Sequence, residues 1–174
     1  MRAASPTIRV MPAIGPAGGP ASGQIKGTKY SISAASYPTL DIKNLRLEEA
    51  QAIYEKDFWK AAGCADLPPR LAFAVFDTAV NNGVMRATRF LQLAVGAAED
   101  GIYGPATRAA VERAVAGDPD DLTLAQELHA RRIHFMAGLS GWSAYGLGWA
   151  RRLAAIPAQG AHHWPAEGTA MSRH

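Results

Sequence analysis

LPPRLAFAVFDTAVNNG, residues Leu67–Gly83, is the stretch on which the fold turns. Its two prolines suit a loop and the first turn of a helix, and Asn-Asn-Gly is a stop signal. Between them Ala72, Phe76 and Ala79, flanked by Val75 and Val80, recur at helical spacing and make one broad apolar stripe. The pattern predicts a central core helix. Asp77 and Asn81 stand four apart at the margin of the stripe, so they share a face. Two readings stay open for that pair. It is either a polar edge bonded to neighbouring backbone or part of a cleft wall.

Outward from this helix, Leu47–Trp59 carries Leu47, Ala50, Ile53, Tyr54 and Phe58 on one helical face. Before it, KGTKYSISAASYPTLDIKNL reads as a compact turn or short extended segment with Tyr30 and Ile32 on one side. After Gly83 a helix with Met85, Thr88, Leu91 and Val95 inward runs to Gly96. Pro105 opens the next and Gly117 ends it. Asp118–Asp121 is an acidic turn whose charge suits the N-terminus of the helix that follows, roughly Leu122–Leu139. A last helix is predicted over Trp142–Ile156, and Pro157–His174 as a flexible tail. The expected class is all-α, with little or no sheet.

The bulk numbers agree. At 174 residues, 48% hydrophobic and 19% charged, the chain is globular in composition. No apolar run approaches the length of a membrane span, so no stable membrane insertion is expected. Nor does the start show the apolar core of a secretory signal. Cys64 is the single cysteine, which excludes an internal disulfide and a cysteine-based metal site. A net charge of +3 and a pI near 9.2 favour anionic polymers without choosing among them. The distribution says more: all fifteen acids lie at or after Asp41. Met1–Gly23, rich in Gly, Pro and Ala, reads as a disordered lead.

Few constellations suggest chemistry. His129 and His134 are five apart and poorly placed to share a metal, and no HExxH occurs, so neither metal nor cofactor is expected. There is no nucleophile elbow and no phosphate-cradling loop. Basic residues are scattered over several helices, which argues against nucleic acid. Tyr54, Asp57 and Trp59 cluster at one helix end, and Trp142 and Trp149 stand seven apart. Such aromatics stack on sugars or fill cores. Glycosidic cleavage needs two carboxylic groups, or one with another water-positioning group, across a cleft. Asp57, Asp66, Asp77 and Asp100 are available.

Together, KGTKYSIS…YPTLDIKNLRLEEAQAIYEKDFW, LPPRLAFAVFDTAVNNG, RATRFLQ, DGIYGPAT and GWARR resemble the glycoside hydrolase family 108 muramidases, which include phage endolysins and secreted lysozyme-like proteins. The resemblance spans about Gly23–Leu153. The later part also resembles the predicted peptidoglycan-binding region that accompanies them. What this implies is a lysozyme-like helical fold acting on peptidoglycan, with cleavage of the β-1,4 bond between N-acetylmuramic acid and N-acetylglucosamine. It further implies a monomer held in the cytoplasm until release to the wall. The implied division is a catalytic remnant over 24–66, a peptidoglycan-binding region over 67–156 packed on it, and the tail. By matching motifs, Thr28, Tyr30, Tyr54, Trp59, Asp77 and Asn81 would meet substrate. Thr28 would position water or cap a turn. Gln92, Asp100, Gly101, Gly104 and Thr107 match a pattern better suited to loop geometry.

One departure matters. The family's catalytic Glu belongs to an EGG motif upstream of the segment matched by Gly27, Thr28, Tyr30 and Ile32, where Ser31 replaces the usual Gly. This chain has no acid there. Loss of a general acid costs about 10²–10⁴-fold or more in rate. Codons for Arg2–Gly18, read one nucleotide earlier, permit EGGFADHPRDAGNWTGG, which looks like the missing segment. The lead is therefore expected to be an out-of-frame translation rejoining the frame near Gly18–Gly23. The alternative is a peptidoglycan-binding protein without catalysis.

Overall fold

The helix bounded by Pro-Pro and Asn-Asn-Gly forms where those signals place it, as α2, Pro69–Asn82, and the chain leaves it at Gly83 with φ 88°. The computed structural model containing it describes residues 27–118 and 121–163. The lead expected over residues 1–23 lies outside the described residues, as does the tail beyond His163. In chain order come β1 (Thr28–Lys29), β2 (Ile32–Ser33), α1 (Leu47–Tyr54), α2, α3 (Val84–Ala94), α4 (Pro105–Ala116), α5 (Leu122–Ala137) and α6 (Trp142–His163). The only sheet among the described residues is the β1–β2 hairpin, with Thr28 opposite Ser33 and Lys29 opposite Ile32. The protein is mainly α.

α2 is central because small residues let neighbours approach from two sides. It buries Leu71, Ala72, Ala74, Val75, Thr78 and Ala79, a wider face than one stripe. One side packs with Ala87, Phe90 and Leu91 of α3 and Leu124 and Leu128 of α5. On the other, Phe76 and Val80 meet a second cluster built from Ile32, Ile42, Leu45, Ala50 and Tyr54. Thus the hairpin and α1 lie against α2. A third, smaller cluster of Met136 and Leu153 joins α5 to α6, with Phe73 of α2 against it.

The N-terminus of α2 has no local side-chain cap. Asp121 supplies one from across the fold: its Oδ2 accepts from the backbone N–H groups of Arg70 (2.8 Å) and Leu71 (3.2 Å). A carboxylate there satisfies orphan amides and opposes the helix dipole. The acidic turn therefore divides its work. Asp118 caps its own helix by accepting from Leu124 N–H at 2.9 Å, whereas Asp121 is buried and turns to α2.

Three local expectations shift. Leu47 and Met85, read as core-facing, are 41% and 61% exposed. Both sit in the first turn of a helix, where the chain enters from outside the core. α6 runs past Ile156 through Pro157 to His163. Proline's φ is itself helical, so the helix continues at the cost of one backbone bond.

Candidate active site

The hairpin turns on Tyr30 and Ser31, both with positive φ (51° and 62°). A two-residue loop of this kind is the type I′ geometry that usually takes Asn-Gly. Side chains in that region cost about 1 kcal/mol or more per residue. What holds the turn is Tyr54, buried in α1, whose hydroxyl donates to the Tyr30 carbonyl at 2.9 Å. Burial raises the Tyr54 pKa, partly offset by a hydrogen bond with Ser31, so the hydroxyl stays protonated. Thr28, at the start of β1, is exposed. The Tyr30 ring is half-buried in the hairpin cluster, with the Lys29 ammonium 5.5 Å from its centroid.

Beyond Tyr54 the helix widens into a π-helical segment, Glu55–Lys60. Such widening re-aims side chains and is common at functional sites. Asp57 lies within it. Its Oδ2 accepts a hydrogen bond from the Tyr37 hydroxyl at 2.9 Å, which joins the π segment to the loop after β2. Burial first, and Asp57 second, push the Tyr37 pKa up to about 12, so Tyr37 is a permanent donor. Trp59 turns the other way and meets Phe76 of α2 edge-on, centroids 5.6 Å apart. Tyr30 and Tyr54 are therefore brought together, Thr28 stands exposed at the other end of the same hairpin, and Trp59 is joined to them through Phe76, which Tyr54 also meets edge-on.

Asp77 and Asn81 belong elsewhere. Asn81 Nδ2 donates to the Asp77 carbonyl (2.7 Å) and to Oδ1 (3.2 Å). Arg132 of α5 donates to Asp77 Oδ2 at 2.5 Å and Arg152 of α6 to Oδ1 at 2.8 Å. The side chain of Arg132 is 1% exposed and that of Asp77 13%. Burial alone would raise the Asp77 pKa, but Arg132 and then Arg152 outweigh it and hold the carboxyl below its ordinary range. An aspartate shared by two guanidinium groups has no proton to give near neutral pH. It clamps α2, α5 and α6. Beside it His129 is kept neutral, its pKa lowered to about 4 by burial and then by Arg132, against the pull of Asp77. His129 Nδ1 and Arg132 Nε are buried without a hydrogen-bond partner among the described residues.

Residues 16–83 match the family model of glycosyl hydrolase 108. The matched span takes in the hairpin, α1 with its π segment and all of α2. The chain is also similar in fold and sequence to a solved structure of Brucella abortus SagA. That likeness has 27% identity, covers 83% of each chain and has a TM-score of 0.68. No curated protein matches the chain.

Against this match, the residues carried over from sequence divide into the hairpin group and the α2 pair. No hydrogen bond or ring contact joins Asp77 to the hairpin among the described residues. Outside the match, buried Gln92 organises the loop between α3 and α4. Its Nε2 lies 2.6 Å from Asp100 Oδ1, 2.9 Å from Thr107 Oγ1 and 3.1 Å from the Ile102 carbonyl, and its Oε1 accepts from Gly101 N–H. These residues shape a loop. Sequence reasoning missed Tyr37, Arg132 and Arg152. Spacing holds no sign of partners 20, 55 and 75 positions apart. Among the described residues, no three His, Cys, Asp or Glu side chains gather as metal ligands, and no helix is long and apolar enough to cross a membrane.

Proposed function

We propose that this chain is a peptidoglycan-directed muramidase-type module. Its substrate is the glycan strand, and its reaction in an intact form is hydrolysis of the bond between N-acetylmuramic acid and N-acetylglucosamine. The observation that carries this reading is the match of residues 16–83 to glycosyl hydrolase 108, over the segment that contains the strained hairpin. Backbone strain of this kind persists at sites where geometry serves function. Thr28 and Tyr30 would line the cleft with Tyr54 and Trp59 behind them, and Thr28 would position water. Asp77 and Asn81 would act from the neighbouring wall by holding α2. Residues 67–156 would form the accompanying wall-binding part, packed on the catalytic remnant.

The polypeptide has no acid before Asp41. Protonation of the leaving oxygen then has no donor upstream of Thr28, and the chain would bind the wall without cutting it at a useful rate. The acid-free lead and a family match that begins at residue 16 support an out-of-frame origin for the first eighteen or so residues. The test compares two proteins in a turbidity assay on purified sacculi: the chain with its present lead, and a version whose lead is replaced by the neighbouring frame. The replaced form should clear sacculi and the original should sediment with them. Sacculi that neither protein binds nor clears would overturn the reading. Nucleotide sequence with no EGG in the neighbouring frame would instead favour the non-catalytic wall-binding protein.

A further inference from the structure

The segment matched to glycosyl hydrolase 108 holds seven acids, and their surroundings separate them. Asp41 is bonded to Asn44 at the surface, and Glu48 is exposed. Glu49 closes a capping box with Arg46, Glu55 pairs with Lys60, and Asp66 pairs with Arg108. Asp77 is clamped by two arginines. Asp57 differs from all of them. It is half-buried beside aromatic residues, it forms no salt bridge among the described residues, and a tyrosine orients it. Only its Oδ2 accepts a bond from a described residue, so Oδ1 is open to a donor from outside the chain.

We propose that Asp57, oriented by Tyr37, is a saccharide-binding residue that takes a hydroxyl or acetamido N–H of an amino-sugar chain on Oδ1. The chemistry fits. A carboxylate acceptor fixed in direction by a neighbouring hydroxyl is how proteins hold sugars whose hydroxyls donate. Tyr37 removes one rotational freedom from the carboxylate before ligand arrives, which lowers the cost of ordering it on binding. The π-helical widening of Glu55–Lys60 aims Asp57 toward Tyr37 while Trp59 packs on Phe76. This inference rests on the glycan reading above and adds a residue that the reading does not need.

The probe is N-acetylchitotetraose, titrated by calorimetry into the full chain and into Asp57→Asn, Tyr37→Phe and Asp41→Asn. The amide introduced by Asp57→Asn would keep an acceptor for Tyr37 but present N–H in place of Oδ1. Folding should therefore survive, and affinity should fall about tenfold or more. Tyr37→Phe keeps the carboxylate but frees its direction and should lose a few-fold. Asp41→Asn should bind as the parent does. Equal affinity in parent and Asp57→Asn would overturn the assignment while leaving the glycan reading intact. A parent that does not bind the tetrasaccharide would also overturn it, and sedimentation with sacculi then shows whether the glycan reading falls too.

Discussion

Two aspartates on adjoining parts of the fold, Asp57 and Asp77, show how surroundings assign a role to one residue type. Asp77 is nearly enclosed, meets two guanidinium groups and an amide, and ties three helices together. Asp57 is half-buried, meets one neutral hydroxyl and stands in a helical segment that departs from α-geometry. The Asp77 carboxylate has both oxygens engaged, whereas that of Asp57 has one. The region of the hairpin also stores strain at Tyr30 and Ser31, whereas the clamp stores buried charge. Where polar groups are half satisfied and backbone is held away from its preferences, ligand contact is the simpler explanation. Where charges are paired inside, the explanation is architecture.

The sharpest way to break this contrast is to remove both carboxylates in turn. Asp77→Ala leaves Arg132 buried with no counter-ion and should cost about 3–5 kcal/mol in denaturant unfolding. Asp57→Asn, with its Tyr37 bond kept, should cost about 1 kcal/mol or less. Equal losses would erase the distinction.

Acid should act on the clamp before it acts on the hairpin. His129 has a folded pKa of about 4 against 6.5 unfolded. Its depressed value means that the unfolded chain takes up the proton first. Stability is therefore complete above about pH 6.5 and falls as pH drops toward 4, by up to about 3 kcal/mol. Asp77, also depressed, adds a further loss only as pH falls below its ordinary range. Melting curves from pH 7 to 4 should show the first slope, and His129→Gln should flatten it.

Gly63 tests close packing between the turn that follows the π segment and the loop before α4. Its φ is 69°, and a Cβ there would lie 2.2 Å from the Tyr103 ring. Gly63→Ala should lower stability by about 1–3 kcal/mol, read as a fall in the denaturation midpoint. The smallest effect should be a gain. Ser31→Gly relieves a left-handed residue at φ 62° and should add about 0.5–1 kcal/mol without altering the fold. A loss there would mean that the Ser31 side chain holds the hairpin more strongly than its backbone strain opposes it.

Much of the architecture can be read along the chain, because its causes are local. Pro69 and Gly83 bound α2, Pro105 and Gly117 bound α4, and the apolar spacing selects the inward faces of Ala72, Val75, Ala79 and Leu91. The exceptions are instructive. Leu47 and Met85 keep the helical period yet stay exposed, since period says which face is apolar but not where the core ends. Of the candidate site, the nearness of Tyr54 to the Thr28–Tyr30 segment is invisible in spacing and comes only through resemblance.

Helix order, the limits of α2 and α4, the absence of acids from the first forty positions and the likeness to a muramidase family are all legible in the chain as written. Which polar groups meet was settled only when the helices packed. Packing sent Asp121 to the amides of α2 instead of its own helix, gave Asp77 to Arg132 and Arg152, and set Tyr37 against Asp57. The reason is physical. Caps, stops and apolar periods act within a few residues, through backbone geometry and burial. Charges and hydroxyls choose partners by distance and desolvation, and those exist only in the assembled fold.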